Sequence, residues 1–159
     1  MPGVGAFPDC KQGLLKTVGL IETLYEQVIN KSKPFLGICV GIQVLANYGY
    51  EFEKCEGLGL IGGNVKMLKT SKYKIPHIGW NKTNFKEGSK NESSELDNLL
   101  KNNFFYFVHS YFVKPKNKES VYTETCIGDF KFCSSIKQKN ILGLQFHPEK
   151  SGLNGLSIF

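Results

Sequence analysis

A cysteine between two glycines is the group in this chain best suited to nucleophilic chemistry. Gly37-Ile38-Cys39-Val40-Gly41 has the G-x-nucleophile-x-G spacing of a nucleophile elbow, with cysteine in the place of serine. Glycine two positions to either side relieves the crowding at such a tight strand-to-helix turn. Cys39 would then begin a helix, where the helix dipole and the free amides favour a thiolate. From these five residues alone, a buried structural cysteine is an equally good interpretation.

A histidine two residues before a glutamate supplies the groups that such a cysteine needs. A cysteine nucleophile requires a base, and the base requires a partner that orients it. His147 and Glu149 follow an apolar stretch, and Pro148 favours an extended backbone before it, so both side chains can project to one side. Alone, His147 would more often be structural. Together, Cys39, His147 and Glu149 form a candidate catalytic triad.

The elements around the elbow predict an α/β domain. The apolar run 34–38 predicts a buried strand, and the segment 41–48 predicts a helix that Gly49 closes. Apolar residues recur at helical spacing from 10 to 30, behind a capping box at Asp9 and Gln12, which predicts an amphipathic helix. The strand–turn–helix order favours a mainly parallel sheet.

The second half of the chain is typical of strands. β-Branched and aromatic residues bounded by Gly, Asn and Lys predict strands at 64–68, 104–109, 121–126, 130–136 and 141–146. The polar stretch 85–95 predicts a surface loop, and 152–159 predicts the first turns of a helix. No boundary divides the chain, so we expect one domain over residues 1–159.

Composition excludes several classes of protein. Of the 159 residues, 41% are hydrophobic and 21% are charged, which is typical of a globular domain. All 20 basic residues are lysine and they are spread along the chain, which argues against a nucleic-acid binder despite the formal net charge of +6. No apolar run approaches the ~20 residues of a membrane span, and the start lacks a signal-peptide pattern, so we expect a cytoplasmic protein without a membrane partner.

The five cysteines do not indicate a disulfide framework or a metal site. Their number is odd, and they show neither C-x-x-C nor a regular spacing. Each is by default a small buried hydrophobic residue, and only Cys39 departs from that expectation. We expect no metal and no cofactor.

The motifs together resemble a known family. GICVGIQ, followed far downstream by QFHPEKS, is similar to the class I glutamine amidotransferases. Within that family, PGVGAF, PHIGWN and FYFVHSY resemble the glutaminase subunits of imidazole glycerol phosphate synthases. The resemblance covers residues 2 to 159. It implies a flavodoxin-like, mainly parallel sheet flanked by helices, with additional antiparallel strands.

The resemblance also implies a role for individual residues. Cys39 would attack the side-chain amide of glutamine and form a glutamyl thioester, while His147 moves the protons and Glu149 orients it. Backbone N–H groups of Gly5 and Val40 would hold the oxyanion. The residues that would bind glutamine are Gln43, His109, Ser110 and Tyr111.

A partner follows from the same resemblance. Trp80, Tyr106 and Lys150 match positions that face a separate (β/α)8-barrel synthase subunit in a heterodimer. Ammonia would pass into that barrel to give imidazole glycerol phosphate and AICAR in histidine biosynthesis. Two alternatives stay open: an ammonia donor for amidino-sugar synthesis in surface glycans, and an inactive, truncated binding module.

The beginning of the chain departs from the family pattern. The family has a strand, a helix and a second strand before the PGVG turn, whereas only Met1 precedes Pro2 here. We therefore expect the domain to lack that unit, as a fragment or through a downstream start. A missing strand would leave a hydrophobic sheet edge unpaired.

Overall fold

The computed structural model describes residues 1–86, 94–101 and 103–159. Its helices are α1 (Phe7–Leu15), α2 (Leu20–Tyr25), α3 (Val40–Gln43), α4 (Glu95–Leu100) and α5 (Gly152–Leu156). Its strands are β1 (Phe35–Ile38), β2 (Tyr48–Gly49), β3 (Cys55–Glu56), β4 (Gly63–Met67), β5 (His77–Lys82), β6 (Asn84–Phe85), β7 (Phe104–His109), β8 (Tyr111–Pro115), β9 (Val121–Ile127), β10 (Phe130–Gln138) and β11 (Ile141–Leu144). The loop predicted for 85–95 lies largely outside the described residues.

Three sheets organise the described residues. The largest has the order β1-β11-β10-β9-β6, the second has the order β3-β2-β4-β8, and β5 pairs with β7. Strands β1 and β11 are parallel, as are β2 and β4, and the other described ladders are antiparallel. The α/β class with additional antiparallel strands is confirmed. Antiparallel ladders outnumber parallel ones, in part because short turns join β9 to β10 and β10 to β11.

Two apolar clusters form the core. One lies around α3 and β4 and includes Ile42, Leu45 and Val65. The other is aromatic, and in it the rings of Phe105 and Phe146 stack with their centroids 4.2 Å apart. The second cluster therefore holds Phe146, which directly precedes His147.

The sequence predicts one continuous helix from 10 to 30, and this prediction is wrong because the segment is interrupted. It is divided into α1, α2 and a π-helical turn over Glu26–Asn30. Gly19 has a φ of +77° and precedes α2, and this left-handed conformation interrupts a right-handed helix. The capping box at Asp9 and Gln12 is also wrong, because the N-cap is Ala6 and no side chain caps that end.

The predicted strands are confirmed to within two residues, and five further described strands were not predicted. The helix predicted for 41–48 begins close to its expected place but ends at Gln43, since Tyr48 and Gly49 form β2. The strands without a counterpart among the predictions are β2, β3, β5, β6 and β8. β1 lies at one end of its sheet, where the Met1 carbonyl accepts a hydrogen bond from Ile38 N–H at 3.1 Å. Among the described helices, none combines the length and apolarity needed to cross a membrane.

Candidate active site

Cys39 lies at the sharp turn between β1 and α3. Its φ of 54° and ψ of −114° are strained for a residue with a side chain. A Cβ on Gly37 would lie 3.0 Å from the Gly41 carbonyl oxygen, and a Cβ on Gly41 would lie 2.0 Å from that of Met1. Both flanking glycines are therefore required by space, as the elbow spacing predicts. Cys39 N–H donates to the Leu144 carbonyl at 2.7 Å, which ties the elbow to β11.

His147 is buried and is oriented by a carboxylate. Its Nδ1 lies 2.7 Å from Glu149 Oε1, and because a carboxylate only accepts, Nδ1 carries the hydrogen. In this tautomer Nε2 is an unprotonated acceptor, and it is buried with no hydrogen-bond partner among the described residues. The arrangement presents a base with a free lone pair.

The backbone of β7 holds this histidine in place. His147 N–H donates to the Tyr106 carbonyl at 2.9 Å, and Tyr106 N–H donates to Ser151 Oγ at 2.9 Å. Ser151 Oγ in turn donates to the His147 carbonyl at 2.5 Å. These three bonds close a ring between β7 and the segment that carries the base.

A cavity of about 390 Å³ is lined by both Cys39 and His147. Its walls are formed by Val4, Gly5, Cys39, Val40, Gln43, Glu51, Pro76, Val108, His109, Ser110, Tyr111, His147 and Lys150. Glu149 contacts the cavity only through His147. Among the described contacts, no hydrogen bond within 4.0 Å joins Cys39 Sγ to His147 Nε2. The two groups therefore line the cavity without a direct hydrogen bond between them.

Burial keeps the Cys39 thiol protonated. Its side chain is 7% exposed, and this desolvation raises the pKa of the thiol to about 11. A hydrogen bond from Val40 N–H lowers the pKa, the Glu149 carboxylate raises it, and Lys150 lowers it slightly. The expectation that the helix start favours a thiolate is wrong here, because α3 has only four residues and desolvation is the larger effect. A thiol in this state would have to lose its proton before it could act as a nucleophile.

Two buried glutamines connect the nucleophile to the pocket wall. Gln43 Nε2 donates to the Tyr111 carbonyl at 2.8 Å and to Gln145 Oε1 at 3.2 Å. Gln145 Nε2 points to Cys39 Sγ at 3.9 Å, within range of a hydrogen bond to sulfur. Sequence reasoning missed Gln145, although it directly precedes Phe146 and His147 in the motif.

A pair of buried histidines supports the other wall. His109 Nδ1 lies 2.8 Å from the Tyr111 carbonyl, so that nitrogen carries the hydrogen and His109 Nε2 accepts from His77 Nδ1 at 3.2 Å. Asn81 Nδ2 lies 3.5 Å from the remaining nitrogen of His77. Burial lowers the pKa of His109 to about 3 and that of His77 to about 4, so both are neutral at pH 7. With both ring nitrogens in use, His109 fixes the Tyr111 carbonyl rather than offering a free donor.

The cavity also contains a carboxylate that sequence reasoning missed. Glu51 follows β2 in a loop, and its Oε2 accepts a hydrogen bond from Phe7 N–H at 2.7 Å. No local pattern marks this position, since it reaches the cavity only through the pairing of β2 with β4. Gly5, two residues before Phe7, also lines the cavity and adopts a φ of +104°, a conformation that glycine allows in the turn expected to hold the oxyanion.

The residues predicted to face a partner lie outside the cavity, except Lys150, which is exposed and lines it. Trp80 and Tyr106 are paired in the β5–β7 ladder, and their rings meet edge to face with centroids 6.2 Å apart. Trp80 is 55% exposed. The pair therefore presents an aromatic surface on the strand whose backbone holds His147.

Comparison with known proteins agrees with this geometry. The chain matches the family described as glutamine amidotransferase class-I over residues 2–156. It is 44% identical over 158 residues to the imidazole glycerol phosphate synthase subunit HisH of Aquifex aeolicus, covering 99% of this chain and 72% of that protein. The corresponding subunit of Pelagibacter ubique is 41% identical over 160 residues, covering 99% and 74%.

Solved structures have the same fold. A crystal structure of a glutamine amidotransferase superposes with a TM-score of 0.69 at 17% identity, covering 99% of this chain and 73% of that one. A glutamine amidotransferase from Thermotoga maritima gives a TM-score of 0.60 at 19% identity, covering 98% and 56%. By its motifs, its fold and its match over nearly the whole length, the chain belongs to the class I glutamine amidotransferase family.

Proposed function

We propose that this amidotransferase is the glutaminase subunit of an imidazole glycerol phosphate synthase and that Cys39, His147 and Glu149 perform the hydrolysis. The observation that carries the proposal is the cavity that Cys39 and His147 line together, with His147 Nε2 buried and without a hydrogen-bond partner among the described residues. The acceptor reaction is supported by relatives that are named HisH and are about 40% identical over 99% of the chain.

The chemistry proceeds through a glutamyl thioester. His147 Nε2 takes the proton of Cys39 while Sγ attacks the side-chain carbonyl carbon of glutamine. The oxygen gains negative charge, which N–H groups of Val40 and Gly5 stabilise. Collapse of this intermediate breaks the C–N bond, and the proton on His147 goes to the leaving nitrogen to give ammonia. Water, deprotonated by His147, then cleaves the thioester and releases glutamate.

The cavity walls suit the charged end of glutamine. Glu51 is the carboxylate in the wall and pairs with the substrate ammonium group, while Lys150 is the nearby cation. Both N–H groups of the Gln43 amide are engaged, so its Oε1 is the atom available to accept from the substrate. The Tyr111 carbonyl accepts from both Gln43 and His109, which keeps this wall rigid.

The outer face of the β5–β7 ladder suits a protein partner. Ile78, Trp80 and Phe104 are 60%, 55% and 54% exposed and lie on paired positions of one face. Large exposed aromatic residues of this kind are typical of interface anchors. We assign this face to the synthase subunit, whose docking would deliver ammonia without contact with bulk water.

The substitution Cys39→Ala tests the function. It should abolish glutamine hydrolysis, because no nucleophile remains, while a reconstituted synthase complex should still use added ammonium salts. Cys133→Ala is a matched control, since Cys133 is also buried but lies outside the cavity. Residual glutamine-dependent synthesis in the Cys39→Ala complex, or an equal loss with Cys133→Ala, would contradict the assignment of the nucleophile.

The identity of the acceptor requires a separate measurement. Complexes with the barrel synthase of histidine biosynthesis and with a synthase of surface amidino sugars should be compared for glutamine-dependent turnover. We expect coupling with the former only. We also expect the isolated chain to hydrolyse glutamine slowly, because the loss of one oxyanion donor costs about 10²–10³ in rate. Equal turnover with and without the partner would exclude such gating.

A further inference from the structure

A second and larger cleft lies away from Cys39, between the β4–β8 ladder and strands β9 and β10. Its volume is about 850 Å³, within the range of small-molecule sites. None of the residues that line it also lines the cavity of Cys39 and His147. The proposed hydrolysis therefore makes no use of this cleft.

The floor of the cleft is aromatic. Phe112 and Phe130 meet edge to face with their centroids 5.5 Å apart, and Phe132 packs against Phe112 at 6.0 Å. Phe112 and Phe132 are buried, whereas Phe130 is partly exposed. Such a floor favours contact with a flat, apolar part of a ligand.

The rim of the cleft is strongly basic. The lysines that line it are Lys66, Lys69, Lys86, Lys114, Lys118 and Lys131, and Glu124 is the carboxylate of the lining. With six lysines and one glutamate, the lining of the cleft has a formal charge of +5, compared with +6 for the whole chain. Glu124 pairs with Lys131 at 3.7 Å, and among the described residues no carboxylate pairs with Lys66, Lys69 or Lys114.

The lysines and the aromatic floor belong to the same surface. Lys66 is paired with Phe112 across the β4–β8 ladder, so their side chains are on one face of the sheet. Lys114 is two residues beyond Phe112 on β8 and shares that face. Lys118 and Lys131 also line the cleft. A ligand on the floor would therefore lie close to several cations.

We propose that this cleft binds a small molecule that joins a multiply charged anionic group to an aromatic ring, as a nucleoside polyphosphate does. The lysines neutralise the anionic group, and the phenylalanines contact the ring. Lysine binds phosphate as a point charge and does not require the forked geometry of arginine, which this chain lacks.

Calorimetric titration of the full chain with ATP tests the proposal. Adenosine and inorganic tripolyphosphate each supply half of the ligand and serve as comparators. We expect ATP to bind with a Kd below about 1 mM, more tightly than either comparator, and to weaken at about 0.5 M salt. No binding of ATP, or equal binding of tripolyphosphate, would overturn the assignment.

Matched charge reversals locate the site. Lys66→Glu with Lys114→Glu should weaken ATP binding at least about tenfold, which corresponds to about 1.4 kcal/mol. Lys16→Glu with Lys33→Glu changes the net charge equally at exposed positions outside the cleft and should leave the affinity nearly unchanged. Equal weakening by both pairs would mean a general charge effect and would overturn the proposal. Thermal melting of each variant verifies that it is folded.

Two further arms separate this site from the proposed active site. ATP binding should persist in Cys39→Ala and in saturating glutamine, whether or not the chain hydrolyses glutamine. Displacement of ATP by glutamine would assign the nucleotide to the cavity of Cys39 and overturn the proposal. Binding of a long RNA in the absence of ATP binding would indicate a charged surface instead of a small-molecule site and would also overturn it.

Discussion

The pH dependence of Cys39 alkylation distinguishes a protonated nucleophile from a thiolate that is present before substrate binds. The pKa of this thiol is raised to about 11 from the ordinary value of 9.0, foremost by burial. At pH 7 about one thiol in 10,000 is then ionised, compared with about one in 100 at the ordinary value. Alkylation proceeds through the thiolate, so the isolated chain should react about a hundredfold more slowly than a free thiol.

The assay follows each cysteine separately by peptide mass spectrometry after timed exposure to iodoacetamide. Steric access also affects the absolute rate, so the slope against pH is the decisive quantity. For Cys39 the logarithm of the rate should rise by one for each pH unit between pH 7 and about 10, without a plateau. Circular dichroism at each pH defines the range in which the chain stays folded.

The result that refutes this reasoning is a plateau below about pH 9. Such a plateau would mean that Val40 N–H and Lys150 outweigh burial and that Cys39 is a preformed thiolate. His147 would then not be needed to activate the nucleophile and would act only on the leaving nitrogen. A rate that rises with pH would instead support general-base activation by His147 during substrate attack.

Further substitutions test the other contacts of the site. Gln145→Leu removes the donor near Sγ and should lower kcat/KM of glutamine hydrolysis roughly ten- to hundredfold, since hydrogen bonds to charged groups are worth about 1.5–3 kcal/mol; a change below threefold would contradict this role. Trp80→Ala should weaken the synthase complex by about 2 kcal/mol or more in a binding titration, whereas Val18→Ala, at a 99% exposed site elsewhere, should have no effect. The pKa of His109 is lowered on folding, so the unfolded chain binds more protons between pH 6.5 and about 3. Stability measured by urea unfolding should therefore fall as the pH decreases through that window, by a few kcal/mol, and His109→Asn should flatten the dependence.

The parts of the site that depend on local spacing could be predicted from the sequence. The elbow needs glycine at positions 37 and 41 because the backbone approaches closely there, and this requirement is visible in five residues. His147 and Glu149 are likewise two residues apart. Strands β7, β9 and β11 have the alternating or continuous apolar patterns that identify strands, and they are confirmed at nearly their predicted bounds.

The parts that depend on distant pairing could not be predicted. Only Ser110 lies between the end of β7 and the start of β8, so no turn pattern in the sequence separates the two strands. β5 contains Gly79 with a φ of +137°, and its polar residues obscure an alternating pattern. Glu51 reaches the cavity through a loop whose course is set by the neighbouring sheet. The interruption of the helix at Gly19 could not be predicted, because a glycine inside a helical pattern is usually tolerated and its left-handed backbone is visible only in the structure.

The placement of Tyr106 connects the face that we propose for the partner with His147, the proposed base. Its ring packs against Trp80 on the exposed surface, while its carbonyl accepts from His147 N–H and its N–H donates to Ser151. Ser151 donates to the His147 carbonyl, so a displacement of this part of β7 must move the base or break a buried hydrogen bond. Within the part of the chain that the structure describes, His147 Nε2 has no hydrogen-bond partner, and Cys39 Sγ is not bonded to it. A partner that shifts Trp80 and Tyr106 would therefore change the distance between His147 and Cys39. Partner binding could in this way control hydrolysis without any change in the oxyanion turn.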